Sequence, residues 1–291
     1  MVIIKTIKEL TEYVERAARS GVKTGLVPTM GALHDGHLSL VDRSEKENDI
    51  TIVSLFVNPI QFNNPDDLTN YPRKEEEDFR LLAQRGVDMV FAPSIEEIYP
   101  EGLENAVEKK FNLGKAAEVM EGRYRPGHFQ GVANIVSRLF QLCRPTRAYF
   151  GMKDFQQIIV IRNMIQSEGI DVEIVACPIK RHEDGLAFSS RNMLLTEDQR
   201  RAAPEIYDTL SKSVEFSKTH SVEETRRFVI TSLDAVPGFK VEYFEIVDAS
   251  NLLPVEDWEE TRFIVGCITV YVGKIRLIDN IFYRGEKEFI E

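Results

Sequence analysis

The chain has 291 residues, with 36 Lys and Arg against 47 Asp and Glu, a formal charge of −11, and 43% hydrophobic residues. That balance excludes wholesale disorder, and the length suits one large domain or two smaller ones. It argues against a protein built to coat nucleic acid, which needs many cationic contacts to phosphates, but leaves room for a cationic pocket around one anionic substrate. Cys143, Cys177 and Cys267 are far apart and odd in number. They read as small buried thiols in a reducing cytoplasm, forming neither a disulfide framework nor a zinc site. The N-terminal stretch carries charge throughout, unlike a signal peptide, and no run approaches the roughly 20 apolar residues that span a bilayer. A cytoplasmic protein without a membrane partner is expected.

Residues 6–20 read as a helix, with Thr6 and Glu9 spaced as a capping box. A strand at 23–28 enters a Gly-containing loop, followed by a helix at 37–47 and a strand at 50–57. A helix at 74–85, a strand at 87–92 and an irregular surface excursion over 93–128 come next. Helix 131–143, strand 147–151, helix 154–167 and strand 171–176 complete the series. Continuously apolar strands alternating with helices predict an α/β domain with a doubly wound parallel sheet, whose ligands sit at the carboxyl ends of the strands. The remainder differs. Helices over 196–220 and 222–233 precede strands at 241–247, 262–272 and 274–283, with Gly273 supplying a tight turn. This pattern places a smaller α+β C-terminal domain over 180–291, after a first domain of 1–179.

His34, His37, His128 and His182 fall in loops or at helix starts, whereas His220 reads as solvated. The most informative stretch is PTMGALHDGH, residues 28–37, between a strand and a helix. Gly31 and Gly36 let the backbone approach a ligand closely. A helix starting near His37 aims free N–H groups at the same place, which favours an anion such as phosphate. Two other readings of the His pair remain open: a zinc site, which needs a third ligand, and incidental loop polarity.

HDGH after a strand resembles the HxGH signature of the nucleotidylyltransferase superfamily. VPTMGALHDGHLSLV (27–41) is similar to the pantothenate synthetases in particular. So are FVNPIQF with YPR (56–73), RPGHFQGV (125–132), YFGMKDFQQ (149–157) and DGLAFSSRN (184–192), with LIDN (277–280) near the end. The resemblance runs over about residues 1–195, and five blocks in one order are far more specific than HxGH alone.

The resemblance implies a Rossmann-like catalytic domain that binds ATP and pantoate, and a C-terminal lid. It implies attack of the (R)-pantoate carboxylate on ATP, giving pantoyl adenylate and pyrophosphate, and displacement of AMP by β-alanine. Mg2+ accompanies ATP, no organic cofactor is tightly bound, and the chain forms a homodimer. His34 and His37 are implied to contact ATP phosphates, His37 as proton donor, with Lys153 the third catalytic residue. Met30, Gly31, Gly36, Gly151, Asp154, Lys180, Phe188, Ser189, Ser190 and Arg191 complete the ATP site. Gln61 and Gln157 hold pantoate, and Gln61 also β-alanine. A neutral amide suits this role because it hydrogen-bonds a carboxylate without neutralising the attacking oxygen.

Several positions carry a second reading. Asp154 also suits a helix N-cap, and 189–191 a solvated Ser-rich loop. Asp78 aligns with an acidic position associated with metal in some members, against a reading as helix-surface charge. Arg125 and His128 are read as pocket-wall or phosphate-side residues, and Arg73 as an ion-pair partner. The chain departs from the family pattern at Met152, usually Glu or Gln, and at Phe188, usually Met. Lys180-Arg181 stands for a small apolar residue and Arg, and Asn63-Asn64-Pro65 for a Gly-containing turn. None removes a charge from the mechanism. A nucleotidyl transferase acting on a phosphate ester would need basic acceptor residues where this chain has Gln61 and Gln157. A binding module without turnover would not need the full His34, His37, Lys153, Arg191 set, and the −11 charge opposes an RNA-binding role. The reading adopted is an ATP-dependent ligase making pantothenate.

Overall fold

The computed structural model describes residues 1–290, the side chain of Glu108 aside. Two compact units form: Met1–Gly151 with Gln157–Cys177, and Met152–Gln156 with residues 178 onward. The first unit is built on β1 (Val2–Ile4), β2 (Thr24–Thr29), β3 (Ile50–Leu55), β4 (Met89–Phe91), β5 (Arg147–Gly151) and β6 (Glu173–Cys177). All pair in parallel, in the order β1-β4-β3-β2-β5-β6. The winding reverses between β2 and β5, which makes their carboxyl ends the expected ligand side. β3 is buried on both faces, which is why it reads as a continuous apolar run. Val27, Val53, Val90, Leu38, Val41 and Tyr149 belong to one core cluster that joins the sheet to Asp35–Glu47.

β1 escapes sequence reading because it is three residues long and only Ile4 is buried. Two helices begin earlier than their periodicity predicts, at Asp35–Glu47 and His128–Cys143, because short polar and glycine-containing first turns carry little apolar signal. The excursion over 93–128 contains the short helices Ile95–Ile98, Leu103–Glu108 and Glu121–Tyr124.

The second unit packs Glu197–Ala202, Glu205–Ser217 and Val222–Asp234 with an antiparallel sheet ordered β7 (Phe239–Asp248), β8 (Ile264–Val272), β9 (Ile275–Arg284). Ile206, Leu210, Val229, Leu233, Phe244 and Ile268 belong to its core. Val272 pairs with Ile275 across Gly273, whose φ is +61°, as the turn reading requires. The helix expected over 196–220 is broken at Ala203-Pro204, since proline lacks the N–H and crowds the preceding turn. Capping boxes at Thr196 and Ser221 start two of the helices. His220 is less solvated than expected: it is half-buried, with its ring stacked on Phe216 at 3.6 Å. Cys143, Cys177 and Cys267 are buried, and burial pushes the Cys143 thiol up to about 12 and Cys177 to about 11, so neither is a ready nucleophile. Among the described residues no helix is long and apolar enough to cross a membrane.

Candidate active site

In the first unit the chain leaves β2 through a loop held from below. Thr29 Oγ1 donates to the Ser54 carbonyl at 2.8 Å and accepts from Gly31 N at 3.2 Å. Gly31 has φ +77° and Ala32 φ +49°, a left-handed conformation that costs a non-glycine residue roughly 1–2 kcal/mol. Asp78 holds the bend. Its Oδ2 accepts from Ala32 N at 2.8 Å and its Oδ1 from Leu33 N at 2.7 Å. Burial raises the Asp78 carboxyl above its ordinary range, and these two N–H bonds oppose that shift without cancelling it.

The helix-surface reading of Asp78 is therefore overturned, since the residue is 2% exposed. Both oxygens accept from backbone donors, and among the described residues no group of three His, Cys, Asp or Glu is arranged to hold a metal ion.

His34 occupies the N-cap of Asp35–Glu47 in extended backbone conformation. The i, i+3 spacing sets His37 beside it on the first turn, and the two rings stack at 4.0 Å with planes 20° apart. Imidazole N–H groups and the free N–H groups of a 13-residue helix thus share one end of the sheet.

Gln61 is set by a network that the sequence did not reveal. Asn58 Nδ2 donates to the Gly131 carbonyl at 3.0 Å and to Gln61 Oε1 at 3.3 Å, while Tyr99 OH donates to Asn58 Oδ1 at 2.9 Å. His128 Nδ1 lies 2.8 Å from the Gln61 carbonyl, and Arg125 Nη1 lies 3.2 Å from His128 Nε2. A carbonyl only accepts and a guanidinium only donates, so this chain selects the Nδ1–H tautomer of His128. Gly131 is needed for the approach, since a Cβ there would sit 2.5 Å from Ile60 O and 2.6 Å from Gln61 Cα. Gln61 Nε2 meets Met30 Sδ at 3.0 Å, a weak acceptor, so this N–H is cheap to redirect to a ligand. Arg125 and His128 thus support Gln61 from behind. Gln157 is half-buried in Phe155–Glu168.

The second unit carries the other motif residues. Lys153 and Asp154 lie in the turn Met152–Asp154, with Lys153 Nζ 3.5 Å from Asp154 Oδ2. Residues 180–188 double back on themselves through the Arg181–Ala187 bridge and a bond from Phe188 N to Lys180 O at 3.1 Å. Ser189 caps the short helix Ser190–Leu194 by accepting from Arg191 N at 3.2 Å, so the SSRN stretch is ordered structure rather than a solvated loop. Lys153, Ser189, Asn192 and Asp279 line one small cavity of about 10 Å3. The structure thus groups His34, His37, Met30 and Gln61 in one unit, and Lys153 with Ser189 in the other.

The sequence profile described as pantoate–β-alanine ligase matches residues 2–282. The chain belongs to the pantoate–β-alanine ligase family. A pantothenate synthetase from Phocaeicola vulgatus is 53% identical over 98% of this chain and 100% of its own length. A solved pantothenate synthetase from Thermus thermophilus is 43% identical, with a TM-score of 0.90 over 98% of this chain and 100% of its own. The pantoate–β-alanine ligase of Francisella tularensis, solved with β-γ ATP and β-alanine, is 34% identical with a TM-score of 0.76, covering 97% and 98%.

The positions that depart from that family pattern differ in whether backbone or side chain makes the contact. Met152 is 1% exposed and uses its carbonyl, and Lys180 is exposed and uses its carbonyl as well. Phe188 stacks on His182 at 3.7 Å. Asn64 caps a short helix, Pro65–Thr69, in place of the Gly-containing turn, by accepting from Asp66 N at 2.9 Å. Arg73 donates to the carbonyls of Tyr71 and Leu68.

Proposed function

We propose that the chain condenses (R)-pantoate with β-alanine to pantothenate, using MgATP and passing through pantoyl adenylate. A pantoate carboxylate oxygen bonds to the α-phosphorus of ATP as the bond to pyrophosphate breaks. The β-alanine amine then bonds to the acyl carbon, and AMP departs with the carboxylate oxygen. The observation that carries this reading is the stacked His34–His37 pair at a helix N-terminus, on the loop after β2, within a family match over residues 2–282.

The first step sets like charges together, each close pair costing about 4 kcal/mol at 4 Å with an effective dielectric near 20. Oriented donors and cations offset that cost most where charge builds in the transition state. His34 and His37, with His37 as proton donor, take the phosphates together with the backbone of Met30, Gly31 and Gly36. Lys153 supplies a fixed ammonium, and Ser189, Ser190 and Arg191 supply hydroxyl and guanidinium donors, with Gly151, Asp154, Lys180 and Phe188 at the nucleotide. Gln61 and Gln157 hold pantoate, and Gln61 also meets β-alanine. Mg2+ arrives with the substrate phosphates, as this ion commonly does. The active form is a homodimer in the cytoplasm, as the resemblance to the family implies, and three free, buried cysteines are in keeping with a reducing compartment.

The test is pyrophosphate release with ATP, Mg2+ and (R)-pantoate, with and without β-alanine. A stoichiometric burst without the amine that becomes sustained turnover with it is expected. In folded His37→Ala and Lys153→Ala the burst should slow to a small residual rate. No release under either condition would defeat the ligase reading.

A further inference from the structure

Two consecutive polar residues of β9, Asp279 and Asn280, are 5% and 2% exposed. Buried polar groups are kept where their bonds are made, and here the bonds to Arg181, Met152 and Lys153 reach functional segments. Asp279 takes both Nη atoms of Arg181, at 2.6 and 2.9 Å, which ties β9 to the doubled-back stretch before Ser189. Asn280 Nδ2 donates to the Met152 carbonyl at 2.7 Å and to the Lys153 carbonyl at 3.2 Å. The Asn280 backbone is held as well: its N–H donates to Asp279 Oδ1 at 2.8 Å, and its carbonyl accepts from Arg181 Nη2 at 3.4 Å.

We infer that Asn280 is the positioning residue for Lys153, holding the turn so that the ammonium is presented in one place. This rests on the role given to Lys153 above. A primary amide has two N–H donors, which match two successive carbonyls; an ionised carboxylate of the same size has none. Fixing the carbonyls on both sides of the Lys153 Cα removes the freedom of the turn about that residue. Asn280 lies 127 residues from Lys153 in sequence, so nothing local supplies this restraint.

Single-turnover pyrophosphate release, measured on the full chain with Asn280→Asp, Lys153→Ala or both, tests the inference. Asn280→Asp keeps the volume and sets acceptors against carbonyls. We expect its rate at saturating substrate to fall about 10- to 100-fold, with KM for ATP within about threefold of wild type. Added to Lys153→Ala it should cost no more than about a further twofold, because the two residues act as a unit. Asn280→Ser keeps one donor, should lose less, and serves if the Asp variant does not fold. Rates within about twofold of wild type in the folded variants, or losses that multiply in the double variant, would overturn the inference. Full activity of Lys153→Ala would remove the reading of Lys153 itself, an outcome distinct from failure at Asn280 alone.

Discussion

In the first unit a buried carboxylate, Asp78, takes N–H bonds from Ala32 and Leu33; in the second a buried amide, Asn280, gives N–H bonds to the carbonyls of Met152 and Lys153. The polarity of each clamp follows from what its turn leaves unmade. The left-handed bend at Gly31 and Ala32 turns two N–H groups inward, whereas the short turn Met152–Asp154 leaves two carbonyls to be met. A carboxylate makes stronger bonds than an amide but resists burial, and the raised Asp78 pKa records that resistance. Charge and pH should therefore act on the first loop, and donor geometry on the second.

Removing the charged clamp should have the largest effect. Asp78→Ala leaves the N–H groups of Ala32 and Leu33 buried without that acceptor, at a cost of about 3 kcal/mol in unfolding free energy. With the His34 loop released, pyrophosphate release should fall about 100-fold. Denaturant unfolding and single-turnover assays check both, and a variant with wild-type rate would separate the loop from the chemistry.

Asp78→Asn sharpens the comparison by making the first clamp an amide. Burial holds the wild-type carboxyl above its ordinary 3.8. As pH falls through that raised value towards 3.8 and below, the folded chain binds a proton before the unfolded chain does. This group's contribution to stability therefore increases on acidification, as the cost of burying its ionised form is relieved. The unfolding free energy of wild type minus that of Asp78→Asn should shift in favour of wild type across this window. A pH-independent difference would mean that Asp78 is not buried as described.

Arg181→Lys probes the restraint behind the second clamp. The guanidinium bonds Asp279 through two nitrogens and lies 3.7 Å over the Tyr207 ring, a geometry lysine cannot reproduce. A loss of about 2 kcal/mol is expected, smaller than for outright removal of a partner because a charge remains for Asp279. Thermal unfolding reads it, and an unchanged midpoint would show that the pair is replaceable.

These clamps also mark how far the sequence could be read. The sheet was legible because β2 and β3 are apolar along their length, and the His34, His37, Lys153 and Ser189–Arg191 positions were legible from motifs. Asp78 was not, because it ends a run of acidic residues whose other members, Glu75, Glu76 and Glu77, are exposed. Its one signal is Leu82, four residues on and fully buried, which puts Asp78 on the inward helix face. Asn280 lay within the LIDN block without being singled out, because periodicity carries no information about a partner so distant. The grouping of Met152–Gln156 with the second unit was equally hidden, since it depends on Phe155 packing 5.6 Å from Phe282 and 5.3 Å from Phe289.

The smallest effect is expected at Lys180, which departs from the family pattern within the proposed ATP site. The side chain is exposed, and the residue's bond to Phe188 N is made by its carbonyl. Lys180→Ala preserves that carbonyl and so preserves the doubled-back stretch that leads to Ser189. Solvent screening leaves an exposed ammonium little leverage on a phosphate. KM for ATP should change by less than about threefold, with kcat unchanged. A larger rise in KM would show that lysine reaches the nucleotide through its side chain. The second unit would then depend on charge as well as geometry, and the contrast between the two clamps would narrow.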